Sequence, residues 1–291
     1  MKLLICTQVV DTEHPILGFF HGWILEFSKH FDRIDVICLE KGAFNLPSHV
    51  HVHSLGKESG TPKLIQLITF YWYFGGTFFS RVDYVFFHMG AIYNFLAAPF
   101  FFIRQLFKTK FYWWKAHGQL KGFDRSASRL VDRIYTSTEE GFPLEVSNKY
   151  VVGQAIDTDL FIPSTDQESV PKNSVLYVGR IAPIKHLEIF LKVADVFKNT
   201  HKFTIVGDGE YEYVSKIKLM ASYFSNVKML GPKSQRDLIE IYQSHEFFLN
   251  TSLTHSMDKT VLEAILCGCI PVTANKAFKK LLSPHGLFVN S

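Results

Sequence analysis

The chain lacks a long apolar run. No stretch reaches the roughly 18 to 20 apolar residues that a membrane-spanning helix needs, and the first residues form a short strand-like run without the apolar core and cleavage site of a signal peptide. Internal repeats and low-complexity tracts are absent as well. With 291 residues, 47% of them hydrophobic, the chain has room for two domains with real cores. We therefore expect a cytoplasmic, two-domain globular protein.

Cysteine is scarce. Cys6, Cys38, Cys267 and Cys269 all lie in apolar runs, which predicts small reduced core residues and not a disulfide framework. Cys267 and Cys269 flank one glycine, but no second pair and no histidine cluster follows them. We therefore expect no metal site.

The loop after the first strand pattern, residues 11–18, lacks Gly-x-Gly-x-x-Gly. The chain therefore lacks the glycine motif that identifies a nicotinamide-binding Rossmann domain, and we exclude that class.

Charge of one sign is not in large excess either, because the net charge is only +4. This charge suits an anionic nucleotide donor or an acidic membrane surface and does not choose between them. We expect no nucleic-acid partner.

Alternating strand and helix patterns run along the whole chain, which predicts parallel sheets covered by helices. We expect one domain over residues 1–160 and a second over residues 174–291. The polar stretch 161–173, bounded by prolines, is predicted to be the linker. One helix is predicted over residues 92–107 and a final strand over residues 287–289.

The most informative stretch is residues 250–272. An apolar strand, residues 247–249, leads into a polar loop, and the loop leads into a helix predicted over residues 260–267 with Glu263 in its first turn. Gly268 closes this helix. A loop that feeds a helix N-terminus at the carboxyl end of a strand is where open α/β sheets hold anionic ligands.

A second motif, VGRIAPIK at residues 178–185, follows the first strand of the second half. Arg180 offers phosphate oxygens a fork of donors, and Lys185 offers a compact point charge. Two cations at this strand end would stabilise the negative charge that develops on a departing diphosphate. Taken alone, the motif is more typical of a solvated turn that carries an Arg and a Lys.

Together the two stretches resemble glycosyltransferase family 4, the retaining enzymes with a GT-B fold, and its glycosyl transferases group 1 domain. In that family two glutamates bracket seven residues, and Ala, a small residue, Gly and Pro-Val follow. Here Glu263 is the second glutamate, with matching Leu262 and Ala264 beside it, whereas His255 stands at the first position. The resemblance implies an α/β protein of GT-B type, with two doubly wound Rossmann-like domains facing a central cleft.

The resemblance also implies a donor site that binds the diphosphate, the base and the ribose of a nucleotide-sugar. Glu263 would hold the ribose, with a helix-start acid that favours the macrodipole as the alternative. Gly231 would lie where the base contacts the backbone. The residues implied in donor binding are Gly179, Arg180, Lys185, Gly231, Met257, Lys259 and Glu263.

Near the transferred sugar the resemblance implies His117, His255 and Asp258 as catalytic candidates. His255 can hydrogen-bond hydroxyls but brings no fixed negative charge. Asp258 would supply a carboxylate in its place, or it is a helix N-cap. His117 belongs to an Ala-His-Gly triplet at a strand end, and a histidine there is often only a polar end.

On the acceptor side the family carries a Gly-rich loop, of which this chain keeps Gly18. His88, at the end of another strand pattern, is a second acceptor-side candidate. Asp157 and Asp159 alone would indicate a metal-dependent transferase, but at a domain boundary turn-forming aspartates are common. We therefore expect neither a metal nor a cofactor beyond the nucleotide-sugar itself.

The predicted reaction moves a sugar from a UDP- or GDP-sugar to a hydroxyl of a glycan or lipid-linked acceptor, in glycan or cell-envelope biosynthesis. Two alternatives stay open: a GT-B epimerase or phosphorylase, and a non-catalytic sugar-nucleotide-binding subunit.

Segments 70–74 and 101–110 are rich in aromatic and basic residues. They could form a surface that contacts the inner face of a membrane. Alternatively, their aromatic residues pack in a helix core and their basic residues lie at the surface. The sequence stops soon after the strand predicted over residues 287–289, whereas family members usually continue with helices that cross back to the first domain. We therefore expect these terminal helices to be missing.

Overall fold

The computed structural model describes residues 1–14, 16–120, 122–166, 168–253 and 256–289. The chain forms two compact units, Met1–Gly153 and Gln154–Ser291. The division falls earlier in the chain than residue 160. Phe161 lies in a core of the second unit, so the beginning of the predicted linker packs as part of that unit.

The first unit is built on a seven-stranded parallel sheet in the order β3-β2-β1-β4-β5-β6-β7. Its strands are β1 Lys2–Val10, β2 Arg33–Lys41, β3 Val50–Ser54, β4 Tyr84–His88, β5 Lys110–Trp114, β6 Arg133–Thr136 and β7 Lys149–Val151. Its helices are α1 Phe19–Ser28, α2 Lys63–Phe79, α3 Ala91–Leu96, α4 Ala98–Phe101, α5 Arg104–Phe107 and α6 Asp124–Ser128.

Helices cover both faces of this sheet, which makes the unit doubly wound. On one face Phe70, Phe74 and Phe78 of α2 enter a core that includes Trp113. On the other face Phe20 of α1 enters a core formed with residues of β1, β2 and β4. The strands are consequently buried on both sides, as expected for a parallel sheet.

The single helix predicted over residues 92–107 is wrong, because this segment forms α3, α4 and α5. Pro99 has no N–H group with which to continue a helix that begins before it. It instead lies in the first turn of α4, where no intrahelical donor is needed.

The second unit has a five-stranded parallel sheet in the order β10-β9-β8-β11-β12. The strands are β8 Ser174–Val178, β9 Lys202–Val206, β10 Val227–Gly231, β11 Phe247–Asn250 and β12 Ile270–Thr273. The helices are α7 Leu187–Val196, α8 Tyr211–Ala221, α9 Gln235–Gln243, α10 Lys259–Leu266 and α11 Lys279–Leu282. Of the strand predicted at 287–289, the structure shows one isolated bridge between Phe288 and Thr273.

This sheet is also covered on both faces. Phe190 of α7 and Ile217 of α8 pack on one side, and Tyr242 of α9 and Val261 of α10 pack on the other. All four cysteines of the protein are buried free thiols, which confirms the prediction of small core residues. None of the helices in the described part of the chain combines the length and the apolar composition that a membrane span requires.

The strand orders place a topological switch point in each unit. In the second sheet the chain proceeds from β8 to β9 and β10 on one side, and then continues with β11 on the other side of β8. In the first sheet the corresponding point lies between β1 and β4. Loops diverge at such points and leave a crevice at the carboxyl ends of the strands, where ligands of open α/β sheets bind.

Candidate functional site

The loop after β8 is shaped by backbone contact with the loop after β9. Gly207 has a φ of +142°, and a Cβ atom on it would lie 1.9 Å from the carbonyl oxygen of Gly179. The N–H of Ile181 donates to the carbonyl of Asp208 at 2.8 Å. Only glycine allows this approach, so the turn after β9 holds the loop after β8 in place.

Arg180 lies in this fixed loop. Its side chain is exposed, while its carbonyl oxygen accepts a hydrogen bond from the hydroxyl of buried Tyr177 at 3.1 Å. The N–H of Gly179 donates to the carbonyl of Val206 at 3.0 Å. The backbone of Arg180 is therefore anchored at the strand end while its guanidinium group faces solvent, where it can bind an anion.

Lys185 crosses the switch point and contacts the loop after β11. Its Nζ lies 2.8 Å from Oδ1 of Asp258 and 3.3 Å from Oγ of Ser252. Its carbonyl oxygen accepts a hydrogen bond from the Thr251 hydroxyl at 2.6 Å. The side chains of Lys185 and Asp258 are only 16% and 13% exposed, so this ion pair is largely withdrawn from water.

Asp258 occupies the N-cap position of α10 but makes no side-chain cap hydrogen bond. Its second carboxylate oxygen instead accepts from Nδ2 of Asn250 at 3.0 Å. Asn250 in turn accepts a hydrogen bond from the Thr273 hydroxyl at 3.1 Å. The carboxylate is thus held by Lys185, from the loop after β8, and by Asn250, at the end of β11, and the N-cap alternative does not describe what its oxygens do.

Glu263 lies in the second turn of α10, not in its first, because the helix begins at Lys259. Its carboxylate is buried and accepts a hydrogen bond from the hydroxyl of fully buried Tyr242 at 2.9 Å. Burial raises the pKa of Glu263, and the Tyr242 hydrogen bond and nearby Lys259 oppose that rise. A carboxylate at this depth is not the exposed helix-start acid of the alternative interpretation.

Lys259 is the first residue of α10, and burial lowers its pKa to about 7, with the charge of Glu263 opposing the shift. Met257, just before the helix, packs against the core that contains Tyr242. Gly231 ends β10 with a φ of +70°, and its carbonyl oxygen accepts from the N–H of Gly207 at 2.9 Å.

The structure thus brings Lys185 and Asp258 into contact at the switch point, with Lys259 and Glu263 on the adjoining helix α10. Gly179 and Arg180 lie in the same loop connection as Lys185. His255 lies outside the described residues.

The acceptor-side candidate His88 is not at the surface. It is 1% exposed, stacks on Phe20 with ring centroids 3.9 Å apart, and hydrogen-bonds through Nδ1 to the Thr7 hydroxyl at 3.0 Å. Aromatic residues of α1 therefore cover this end of β4, and in this packing His88 serves the core. The alternative of an exposed polar strand end does not apply either.

Gly18 is the N-cap of α1, and a Cβ atom there would lie 2.8 Å from the carbonyl oxygen of His14. This contact gives the glycine a packing role within its own loop.

His117 lies beyond β5 and is exposed, and its Nδ1 accepts a hydrogen bond from the N–H of Gln119 at 3.3 Å.

Asp157 forms a turn, because its Oδ1 accepts the N–H groups of Asp159 at 3.1 Å and of Leu160 at 3.0 Å. Within the described parts of the chain, no group of three or more His, Cys, Asp and Glu side chains is arranged to hold a metal ion.

Several polar residues make buried or partly buried contacts that the sequence did not predict. Tyr242 lies 21 residues from Glu263 in the chain, so no local pattern links them. Asn250 and Ser252 could have been predicted from the sequence, because they begin a polar run directly after an apolar strand. The ion pair between Lys115 and Asp124 of the first unit, at 3.4 Å and with both side chains buried, has no such signal.

Part of the chain is similar in sequence to known glycosyltransferases. Residues 172–291 match the family model described as glycosyl transferases group 1. A protein of Arabidopsis thaliana that forms part of the phosphatidylinositol N-acetylglucosaminyltransferase is 24% identical over 135 residues, 45% of this chain and 30% of that protein. The D-inositol 3-phosphate glycosyltransferase of Mycobacterium sp. (strain JLS) is 27% identical over 164 residues, 51% of this chain and 37% of that protein. The matches thus span less than two fifths of these relatives' lengths.

Solved structures share the fold at low sequence identity. Anabaena HepE in complex with UDP and glucose has a TM-score of 0.71 at 17% identity, over 96% of this chain and 82% of that one. WaaG, a glycosyltransferase involved in lipopolysaccharide biosynthesis, has a TM-score of 0.65 at 11% identity, over 99% and 85%. The two parallel-sheet Rossmann-like units therefore match GT-B glycosyltransferase structures, as predicted.

Proposed function

We propose that this protein is a retaining glycosyltransferase that moves a sugar from a UDP- or GDP-sugar to a hydroxyl of a glycan or lipid-linked acceptor. The observation that carries the proposal is the meeting of the Lys185 loop with the N-terminus of α10 at the switch point of the second sheet. The match of residues 172–291 to glycosyl transferases group 1 supports it. So does the fold shared with HepE, whose structures contain UDP, glucose or UDP-glucose.

The diphosphate is the part of the donor best matched by this geometry. Arg180 presents an anchored backbone and an exposed guanidinium group, and Lys185 presents an ammonium group further along the same loop. The N-terminus of α10 adds the partial positive charge of a helix end. Charge that develops on the leaving diphosphate meets donors that are already in place, which lowers the barrier to its departure.

The nucleoside would be held by Glu263 of α10, positioned by Tyr242, and by the backbone at Gly231. Tyr242 fixes the Glu263 carboxylate by donating to one of its oxygens, and a fixed carboxylate is a good acceptor for ribose hydroxyls. The backbone at Gly231 would contact the base.

At the transferred sugar, the roles of His117 and His255 stay predictions. No side chain has been assigned as a nucleophile, which fits a front-face reaction in which the leaving phosphate accepts the proton of the attacking hydroxyl. Peripheral membrane contact and a role in cell-envelope synthesis also stay predictions at this stage.

Donor binding is tested by titration calorimetry of the whole chain with UDP-, GDP- and ADP-sugars. We expect one nucleotide class to bind, and Arg180→Ala to weaken that binding at least about tenfold, as loss of a charge-assisted phosphate contact does. Lys218→Ala is the matched control, since Lys218 is an exposed cation on α8. Binding that is insensitive to Arg180→Ala, or no binding by any donor, contradicts the donor site.

Product analysis separates the reactions that such a site can serve. A retaining transferase gives a new glycoside with the donor's anomeric configuration, visible in its proton NMR coupling. Free nucleotide with free or epimerised sugar and no acceptor product would instead favour an epimerase. Tight binding without turnover in a broad acceptor mixture would favour a non-catalytic role, the alternative that the replacement at His255 raises.

A further inference from the structure

Helix α2 of the first unit carries apolar side chains on its outer side as well as its inner side. Phe70, Phe74 and Phe78 are fully buried in the core. Positions three, four or seven residues apart lie on one side of a helix, and on the side away from the core they are again apolar. These outer residues are Leu64 (68% exposed), Ile65 (50%), Ile68 (62%), Tyr71 (36%), Trp72 (78%) and Phe79 (57%).

The exposed side continues onto the segment that packs against the end of α2. The ring of Phe79 lies 6.0 Å from that of Phe100 and 6.2 Å from that of Phe107. The same segment contributes Phe102, 82% exposed, and Leu106, 81% exposed. We call these two residues, together with the outer residues of α2, the α2 apolar surface. A soluble helix normally shows polar residues on its outer side, so apolar exposure on this scale marks a binding surface.

The charges of this region are predominantly positive. Between residues 61 and 110 the chain has five basic residues (Lys63, Arg81, Arg104, Lys108 and Lys110) and one acidic residue, Asp83. The Asp83 carboxylate accepts a hydrogen bond from the backbone N–H of Lys2 at 2.7 Å. Arg104 pairs with Asp132. Lys63, Arg81 and Lys108 are exposed, the first two at opposite ends of α2 and the third directly after α5.

We propose that the α2 apolar surface docks onto a lipid bilayer that contains anionic headgroups. Its apolar side chains would enter the interface while the exposed cations meet the headgroup charge. Tyr71 and Trp72 carry rings with an apolar body and a polar end, as membrane interfaces favour. The inference concerns the first unit alone and does not depend on the donor site.

Two other arrangements fit less well. A helix of 17 residues is about 25 Å long, shorter than the roughly 30 Å hydrocarbon core, and the inner side of α2 is committed to the protein core. The helix therefore lies on a membrane and does not span it. A second copy of the chain would bring identical cationic rims together around a twofold axis, where they would repel.

Flotation of the whole chain with vesicles tests the proposal. We expect it to float with vesicles of 70% phosphatidylcholine and 30% phosphatidylglycerol, and much less with phosphatidylcholine alone or in high salt, which screens the charges. The double variant Ile68→Ser, Trp72→Ser should lower the partition coefficient at least about tenfold. The matched control is Tyr211→Ser, Tyr223→Ser, because these tyrosines are also highly exposed but belong to the second unit.

Quenching by brominated lipids gives a residue-level readout. Of the four tryptophans, Trp72 is the strongly exposed one, while Trp113 and Trp114 are buried. We expect binding to brominated vesicles to quench part of the tryptophan fluorescence. Trp72→Phe should abolish this quenching, while the variant still floats with the vesicles. Quenching that survives Trp72→Phe, failure to float, or flotation unaffected by the double serine variant each overturns the proposal. So does a dimer in light scattering that the serine variant dissociates without any vesicle binding by the parent.

Discussion

The ammonium group of Lys185 and the carboxylate of Asp258 lie 2.8 Å apart across the switch point of the second sheet. The cation that we propose for the diphosphate is therefore paired within the protein itself. Asn250 holds the other oxygen of the same carboxylate, so Asp258 fixes where Lys185 can be. It also places a negative charge beside the proposed phosphate position.

Replacing Asp258 by Asn should change donor affinity through that charge. The amide oxygen can still accept from Lys185, so the lysine keeps its place while the repulsion of the diphosphate disappears. One unit charge a few ångströms away in a partly solvated site is worth about 1 kcal/mol, so we expect roughly fivefold tighter UDP binding by calorimetry. Asp195→Asn, at an exposed position of α7, should leave the dissociation constant unchanged. Weaker binding of UDP by Asp258→Asn would contradict this repulsion, whereas weaker binding of the UDP-sugar alone would show that the carboxylate binds the donor sugar directly.

Tyr242→Phe removes the hydroxyl that donates to Glu263 and leaves a buried carboxylate without that donor. We expect the free energy of unfolding to fall by about 1–3 kcal/mol in denaturant titrations at pH 7. We also expect the pKa of Glu263 to rise further, because this hydrogen bond opposes the effect of burial. The control is Tyr93→Phe, which removes another buried hydroxyl, donated to the carbonyl oxygen of Thr7 in the other unit. Donor affinity should fall in Tyr242→Phe and not in Tyr93→Phe, and equal effects would argue against a ribose contact by Glu263.

Lys259 should make the stability of the fold depend on pH. Burial lowers its pKa from an ordinary value of 10.5 to about 7. Between these values the unfolded chain still binds a proton that the folded chain has released, so raising the pH favours the folded state. The free energy of unfolding of the parent minus that of Lys259→Met should therefore increase from pH 7 to about pH 10. A flat difference would mean that the Lys259 amine is better solvated than the structure indicates.

Gly207→Ala should disrupt the loop that holds Arg180. The added methyl group would lie 1.9 Å from a backbone carbonyl oxygen, at a φ that side chains rarely adopt. We expect a loss of at least about 3 kcal/mol in the free energy of unfolding. At Gly22 of α1 no atom beyond the chain neighbours and the adjacent backbone of the helix lies within 4 Å of the added carbon, so Gly22→Ala should instead stabilise by up to about 1 kcal/mol. Similar stabilities for the two variants would contradict the proposed contact between the loops.

Much of the fold is readable from the sequence because each strand of a parallel sheet is a short apolar run followed by a turn. The runs at Ser174–Val178 and Ile270–Thr273 coincide with the predicted strands. The predicted helix over residues 92–107 fails because apolar periodicity continues through Pro99, which the backbone of a helix does not tolerate at that place. The prediction places Glu263 one turn too early because helix periodicity does not locate the first residue of a helix.

The site is only partly predictable. Arg180, Lys185 and Glu263 stand out in the sequence because each lies in a compact motif. The pairing of Lys185 with Asp258, and of Glu263 with Tyr242, depends on strand order, which a local pattern does not encode. His88 shows the opposite error, since a polar residue at a strand end suggests exposure, but α1 folds over it and supplies Phe20 as a stacking partner.

The position of β11 between β8 and β12 has a consequence for how the protein is made. Lys185 and Asp258 are 73 residues apart, so their contact forms only after β11 has been inserted beside β8. Such non-local pairing is slow, and it completes after the local helices have formed. A chain emerging from the ribosome would therefore lack the proposed donor site until β11 and α10 are in place. A nucleotide-sugar that binds this site would then bind only the folded protein and would stabilise it relative to the unfolded chain.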